Sequence, residues 1–138
     1  MIVVKGKVVS GFGHFRRRIT DFPEVFRKAT GEELFPGTLN VDVGTPIKIK
    51  EERRILGKQI GEPFQDLLLE RCAINGVPAW RIRPYSLDIR SGLPAGDGGH
   101  GDQILEISCA QEIPNATCGS TVQIALFRNE LDAEVTVR

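Results

Sequence analysis

The chain has 138 residues, 41% of them hydrophobic and 26% charged, which suits one globular domain and excludes disorder along the whole length. Eighteen Lys and Arg balance eighteen Asp and Glu, so the basic excess by which nucleic-acid-binding domains neutralise phosphate is missing. Polynucleotides are thereby excluded as expected partners, whereas a small nucleotide held by a local cluster is not.

The opening Met1-Ile2-Val3-Val4-Lys5 is too short an apolar run for a signal peptide, and no stretch is long enough to span a bilayer. Cysteines stand at positions 72, 109 and 118 without CxxC spacing, which indicates neither a disulfide framework nor a zinc site. They are expected to be small buried hydrophobes in a reducing, cytoplasmic compartment.

In chain order, residues 2–9 are rich in β-branched side chains and run as a strand into Ser10-Gly11-Phe12-Gly13, a glycine loop. Residues 16–19 read as a short returning strand. TDFPEVFRKATG, residues 20–31, has helix punctuation: Thr20 or Asp21 as cap, Pro23 and Glu24 in the first turn, Gly31 after the last. Phe22, Val25, Phe26 and Ala29 mark its buried side. Pro36-Gly37 is a turn, after which Leu39, Val41 and Val43 alternate with Thr38, Asn40 and Asp42 as a half-buried strand with the polar set outward.

TPIKIKEE, residues 45–52, alternates in the same way, and residues 57–61 form a turn. Residues 67–69 fit a helix or a strand. Asn75-Gly76 joins residues 72–74 to 77–82 as a hairpin. Residues 85–101 form a long glycine-rich connection, QILEIS and STVQIALFR are strands, and EVTVR is a further possible strand at the end. Many short strands with close turns and a single clear helix predict a mostly β, small, closed or nearly closed barrel, because a parallel sheet would need crossover helices.

Three features could carry chemistry. A glycine turn leaving a strand lets backbone N–H groups converge on an anion, and Arg16, Arg17 and Arg18 could add charge-assisted bonds to phosphate. A plain hairpin with solvated arginines explains that spacing equally well. Thr38 and Asn40 offer two neutral oxygens on one strand face, a set that suits Mg²⁺ when substrate phosphates supply the negative charge. The alternative is the wet side of a strand. Glu106, with His100 nearby, could accept or hold a substrate hydroxyl's proton, and otherwise is a surface carboxylate.

Taken in order, GKVVSGFG, FRKATGEELFPGTLNVDVG, HGDQILEI and GSTVQI resemble the CTP-dependent riboflavin kinases, the small single-domain archaeal type. The specific part is a helix ending in Gly31 followed by the aromatic-Pro-Gly-Thr-Leu-Asn-Val run from Phe35 to Val41; the likeness is weakest over residues 50–99. The resemblance implies one six-stranded cradle-loop barrel domain over residues 1–138. It implies that CTP phosphates lie on the loop Gly11, Phe12, Gly13, His14 and Phe15, and the cytosine against Gln111, Glu112, Ile113 and Pro114. It further implies Mg²⁺ on Thr38 and Asn40, and riboflavin at Gly99, His100 and Glu106, with Glu106 as the catalytic residue at the ribityl end.

The implied reaction moves the γ-phosphoryl group of CTP to the 5′-hydroxyl of riboflavin, giving FMN and CDP, in a monomer. Such a transfer asks mainly for alignment and charge stabilisation. In the loop, His14 and Phe15 stand where the family has an acidic residue and a third glycine, and Gly99 stands where it has Thr. A non-catalytic flavin- or nucleotide-binding barrel is therefore the alternative, and a DNA-binding barrel is disfavoured by the zero net charge.

Overall fold

The computed structural model describes residues 1–10, 14–62, 65–86, 102–113 and 116–128. Seven strands and two helices follow the order β1 (Ile2–Val9), α1 (His14–Asp21), α2 (Pro23–Thr30), β2 (Leu39–Asp42), β3 (Arg53–Ile55), β4 (Gln65–Ile74), β5 (Val77–Ser86), β6 (Ile104–Cys109) and β7 (Thr121–Leu126). A 3₁₀ turn over Gly57–Ile60 precedes β4.

Six strands close a ring through β4, β5, β6, β2, β1 and β7, all antiparallel, with β7 returning to β4. Closure depends on the ten-residue length of β4. Its Leu67–Leu69 half pairs with β3 and its Cys72–Ile74 half with β7 along the same edge. The expected six-stranded barrel is thus present, with β3 as a seventh strand outside the ring.

The two-residue period then sorts side chains into two cores. Val8, Val41, Cys72, Ile74, Leu105, Ile107, Ile124 and their neighbours fill the barrel. Leu67, Leu69, Trp80 and Ile82 point outward and are covered by Ile19 of α1 and Phe26 of α2, with Ile55 and Ile60. The outer face of β4 and β5 is therefore a second interior, not a wet surface.

Several expectations need correction. Residues 16–19 are helical, not extended, so two helices replace the single one. Asp21 ends α1, and the N-cap of α2 is Phe22, without a capping side chain; Thr20 instead donates its hydroxyl to the Arg16 carbonyl at 2.8 Å. Gly31 does close α2, in the left-handed region at φ 80°. Residues 45–52 form no strand beyond a bridge at Ile47, whose buried side chain joins the barrel core. Residues 67–69 are strand, and β5 continues to Ser86, into the expected connection. Asn75 and Gly76, at φ 48° and 79°, make the tight turn of the β4–β5 hairpin. Cys72 and Cys109 are buried as expected, but Cys118 is exposed, and all three thiols are free.

Around the start of β6 and the end of β7 the structure carries a buried ionic group that the sequence did not announce. Glu70 and Arg81 face each other across β4 and β5, and Arg128 Nη2 meets Glu70 Oε1 at 2.9 Å. Arg81 Nη2 donates to the Ile47 carbonyl at 2.6 Å, and Arg83 Nε lies 3.1 Å from Asp102 Oδ1. Burial pushes Glu70 upward against the pull of the Lys50 amide, Arg128 and Arg81, and lowers Arg81 to about 10. Among the described residues no helix is long and apolar enough to cross a membrane.

Candidate functional site

Pro36 and Gly37 turn the chain into β2, and the register of β2 builds the site. Val9, Asn40, Glu106 and Ile82 stand directly opposite one another across β1, β2, β6 and β5, so all four point to the outer side of the barrel. Thr38, just ahead of β2, donates Oγ1–H to Glu106 Oε2 at 3.4 Å. Of the expected site residues, the structure therefore brings together Thr38, Asn40 and Glu106. Val9, the last residue of β1, stands beside Asn40.

Asn40 differs from its expected state. It faces outward from the barrel, yet it is only 6% exposed, and among the described residues its Oδ1 has no hydrogen-bond partner. Two-residue alternation distinguishes the faces of a strand but does not show that both are covered. A buried acceptor left alone is costly and calls for an explanation such as an ion or a ligand group. The donor set suits Mg²⁺: a hydroxyl and a carboxamide oxygen, both hard and neutral, with a carboxylate next to them. Among the described residues no group of three or more His, Cys, Asp or Glu side chains gathers as a metal site.

Burial raises the Glu106 carboxyl to about 7, while the Thr38 hydrogen bond and the positive charge of Arg83 pull the other way. A carboxyl poised there exchanges a proton readily near neutral pH. Two residues on and on the same face, Ser108 is fully buried with a hydroxyl that lacks a partner among the described residues. Sequence reasoning missed Ser108; its signal was the i, i+2 spacing from Glu106 on one strand.

Beside this face lies a cavity of about 210 Å³ whose lining includes Phe35, Thr38, Cys109, Gln111, Glu112 and Ile113. Thr38 belongs both to the cavity wall and, through its hydroxyl, to Glu106. Gln111, Glu112 and Ile113 thus share a cavity with Thr38. Gly11, Phe12, Gly13, Gly99, His100 and Pro114 lie outside the described residues, as do the side chains of His14 and Phe15. EVTVR and residues 87–101 of the glycine-rich connection lie outside them too.

The backbone of His14 and Phe15 starts α1. Two of the three arginines of α1 face protein carboxylates: Arg18 pairs with Glu62, and Arg17 lies 3.5 Å from Asp21. What is corrected is the expected extended segment: a helix turns Arg17 and Arg18 toward different neighbours.

No protein-family model matches the chain. Two curated relatives are similar to it. A riboflavin kinase of Staphylothermus marinus is 31% identical over 109 residues, covering 77% of this chain and 75% of the relative. A riboflavin kinase of Methanothermobacter thermautotrophicus is 38% identical over 73 residues, covering 49% of this chain and 58% of the relative.

Proposed function

The chain belongs to the archaeal-type riboflavin kinase family, and from that premise we propose that it phosphorylates riboflavin to FMN, with CTP as donor and CDP as the second product. The observation that carries this reading is the convergence of Thr38, Asn40 and Glu106 on one covered face, with Asn40 Oδ1 buried and unpartnered.

In the proposed mechanism Thr38 Oγ1 and Asn40 Oδ1 hold Mg²⁺, which when bound neutralises charge on the donor phosphates. Thr38 then has two tasks. Its oxygen lone pairs would be available to the cation while its hydroxyl hydrogen keeps Glu106 in place. Glu106 accepts the hydrogen bond of the 5′-hydroxyl and takes its proton as the phosphoryl group moves; poised near 7, it needs little reorganisation to do so. The cavity bounded by Gln111, Glu112 and Ile113 takes the nucleobase. The segment after Val9 leaves β1 where the triphosphate would pass, and residues 11–15 are assigned to it on the family's pattern. Gly99 and His100, with Pro114 beside the base, complete the assignment on the same ground. No nucleic acid, membrane or second subunit enters the scheme, and a cytoplasmic monomer is proposed.

A second reading, a barrel that binds flavin or nucleotide without turnover, is favoured by one feature: α1 begins at His14, so the segment between strand and helix is short. Incubating the protein with Mg²⁺, riboflavin and CTP or ATP, then separating flavins by chromatography, decides between them. FMN formed with CTP supports the proposal, and FMN with ATP alone corrects the donor. Binding of both ligands without FMN from any nucleoside triphosphate establishes the second reading.

A further inference from the structure

Phe35 is out of place for a large apolar side chain. It remains 38% exposed, and among the exposed large hydrophobics of the described residues it alone lines the cavity. Its backbone is fixed: the Phe35 N–H donates to the Cys109 carbonyl at 2.7 Å, tying the turn before β2 to the end of β6. Its ring lies over its own turn. A Cβ placed on Gly37 would come 3.1 Å from Phe35 Cε1 and 3.4 Å from Cδ1, so the ring rests against a residue with no side chain to displace it. An aromatic side chain with two torsions, held by its own turn, offers a binding face at little entropic cost.

The dimensions select the occupant. At about 210 Å³ the cavity is smaller than the roughly 300 Å³ at which pockets for drug-sized ligands begin, so one nucleobase suits it better than a three-ring flavin. Its polar lining comes from Gln111 and Glu112, its apolar lining from Ile113 and Cys109. Thr38 on the same wall leads toward Asn40 and Glu106, the direction a nucleotide's phosphates would take from a base seated here. We propose that Phe35 is a binding residue on whose ring the nucleobase of the phosphoryl donor stacks. This deepens the functional reading above and rests on it.

Calorimetric titration of wild type, Phe35→Ala, Phe35→Leu and Phe35→Tyr with Mg²⁺–CTP, Mg²⁺–ATP, Mg²⁺–inorganic triphosphate and riboflavin tests the proposal. Loss of base stacking should weaken the preferred nucleoside triphosphate by about tenfold in Phe35→Ala and Phe35→Leu, and by less than about threefold in Phe35→Tyr. Inorganic triphosphate and riboflavin should bind all four proteins alike. Phe35→Leu keeps apolar bulk, so it covers the case in which the alanine variant fails to fold. Wild-type nucleotide affinity in folded Phe35→Leu overturns the proposal and leaves the functional reading intact. Equal weakening of inorganic triphosphate, or loss confined to riboflavin, overturns it too. A wild type that binds no nucleoside triphosphate defeats both.

Discussion

An acceptor buried without a donor costs roughly 1–3 kcal/mol, and Asn40 Oδ1 is in that state. Removing it should therefore cost the fold little. Asn40→Ala is expected to change the unfolding free energy by no more than about 1 kcal/mol while weakening Mg²⁺–nucleotide binding on the order of tenfold to a hundredfold. Chemical denaturation and calorimetry on the same preparation check this. A variant that unfolds, with normal binding in the fraction still folded, would make the residue structural.

Glu106 supplies a second expectation at this scale. Its carboxyl is raised to about 7 from an ordinary 4.5, so the folded state holds the proton more tightly than the unfolded state does. The associated stability is fully present below the unfolded value and is lost as pH rises through about 7. Glu106→Gln should thus gain on wild type between pH 5 and pH 8. A relative gain near 1 kcal/mol would move the melting midpoint by roughly 3–5 °C. The same variant should lose about a hundredfold in kcat, and wild-type kcat/KM should rise with pH through the same region. A flat difference in melting temperature across that range would show that burial does not perturb the group.

Among the elements, β4 and β5 have the most to lose from a single change. Glu70 sits between Arg81 and Arg128, all three buried, and takes the Lys50 amide at 3.1 Å. Glu70→Ala leaves guanidinium charge without its carboxylate and should cost about 3–5 kcal/mol, read from the urea midpoint at constant slope. The cavity lies past the other end of β6, so nucleotide affinity in the folded fraction should hold. A loss below about 1 kcal/mol would mean that water or neighbouring groups already satisfy the arginines.

These strands also mark what could be read from residues alone. β1 was legible from its β-branched content, β7 because Val122, Ile124 and Leu126 alternate, and the β4–β5 turn because Asn-Gly accepts the left-handed backbone. α1 was not legible. Arg16, Arg17 and Arg18 offer no apolar period, and the helix buries Ile19 only because the outer face of β4 and β5 needs a cover. The pairing of Thr38 and Asn40 was visible in the strand period. Their contact with Glu106, and the burial of Asn40, depend on β2 lying beside β6, a long-range choice that no local pattern encodes.

At the scale of the whole molecule, closing the sheet gives one short chain two apolar interiors and a seam between them. Val41, Leu105 and Ile107 hold β2 and β6 from within, while Asn40 and Glu106 emerge on the other side of the same strands. A rigid wall of this kind suits phosphoryl transfer, where alignment accounts for much of the catalysis. It also separates the two ligands. In the proposed scheme the donor's base would enter from the cavity past Phe35 and Thr38, and the acceptor's hydroxyl would come from the face that carries Glu106.

A crystal structure of the protein grown with Mg²⁺, CDP and riboflavin would decide whether Thr38 and Asn40 hold a metal–nucleotide. The predicted result is a cation about 2.0–2.1 Å from Thr38 Oγ1 and Asn40 Oδ1, bridged to phosphate, with the ribityl 5′-hydroxyl on Glu106. A nucleotide bound on another surface, with Asn40 Oδ1 still facing only protein, would contradict it.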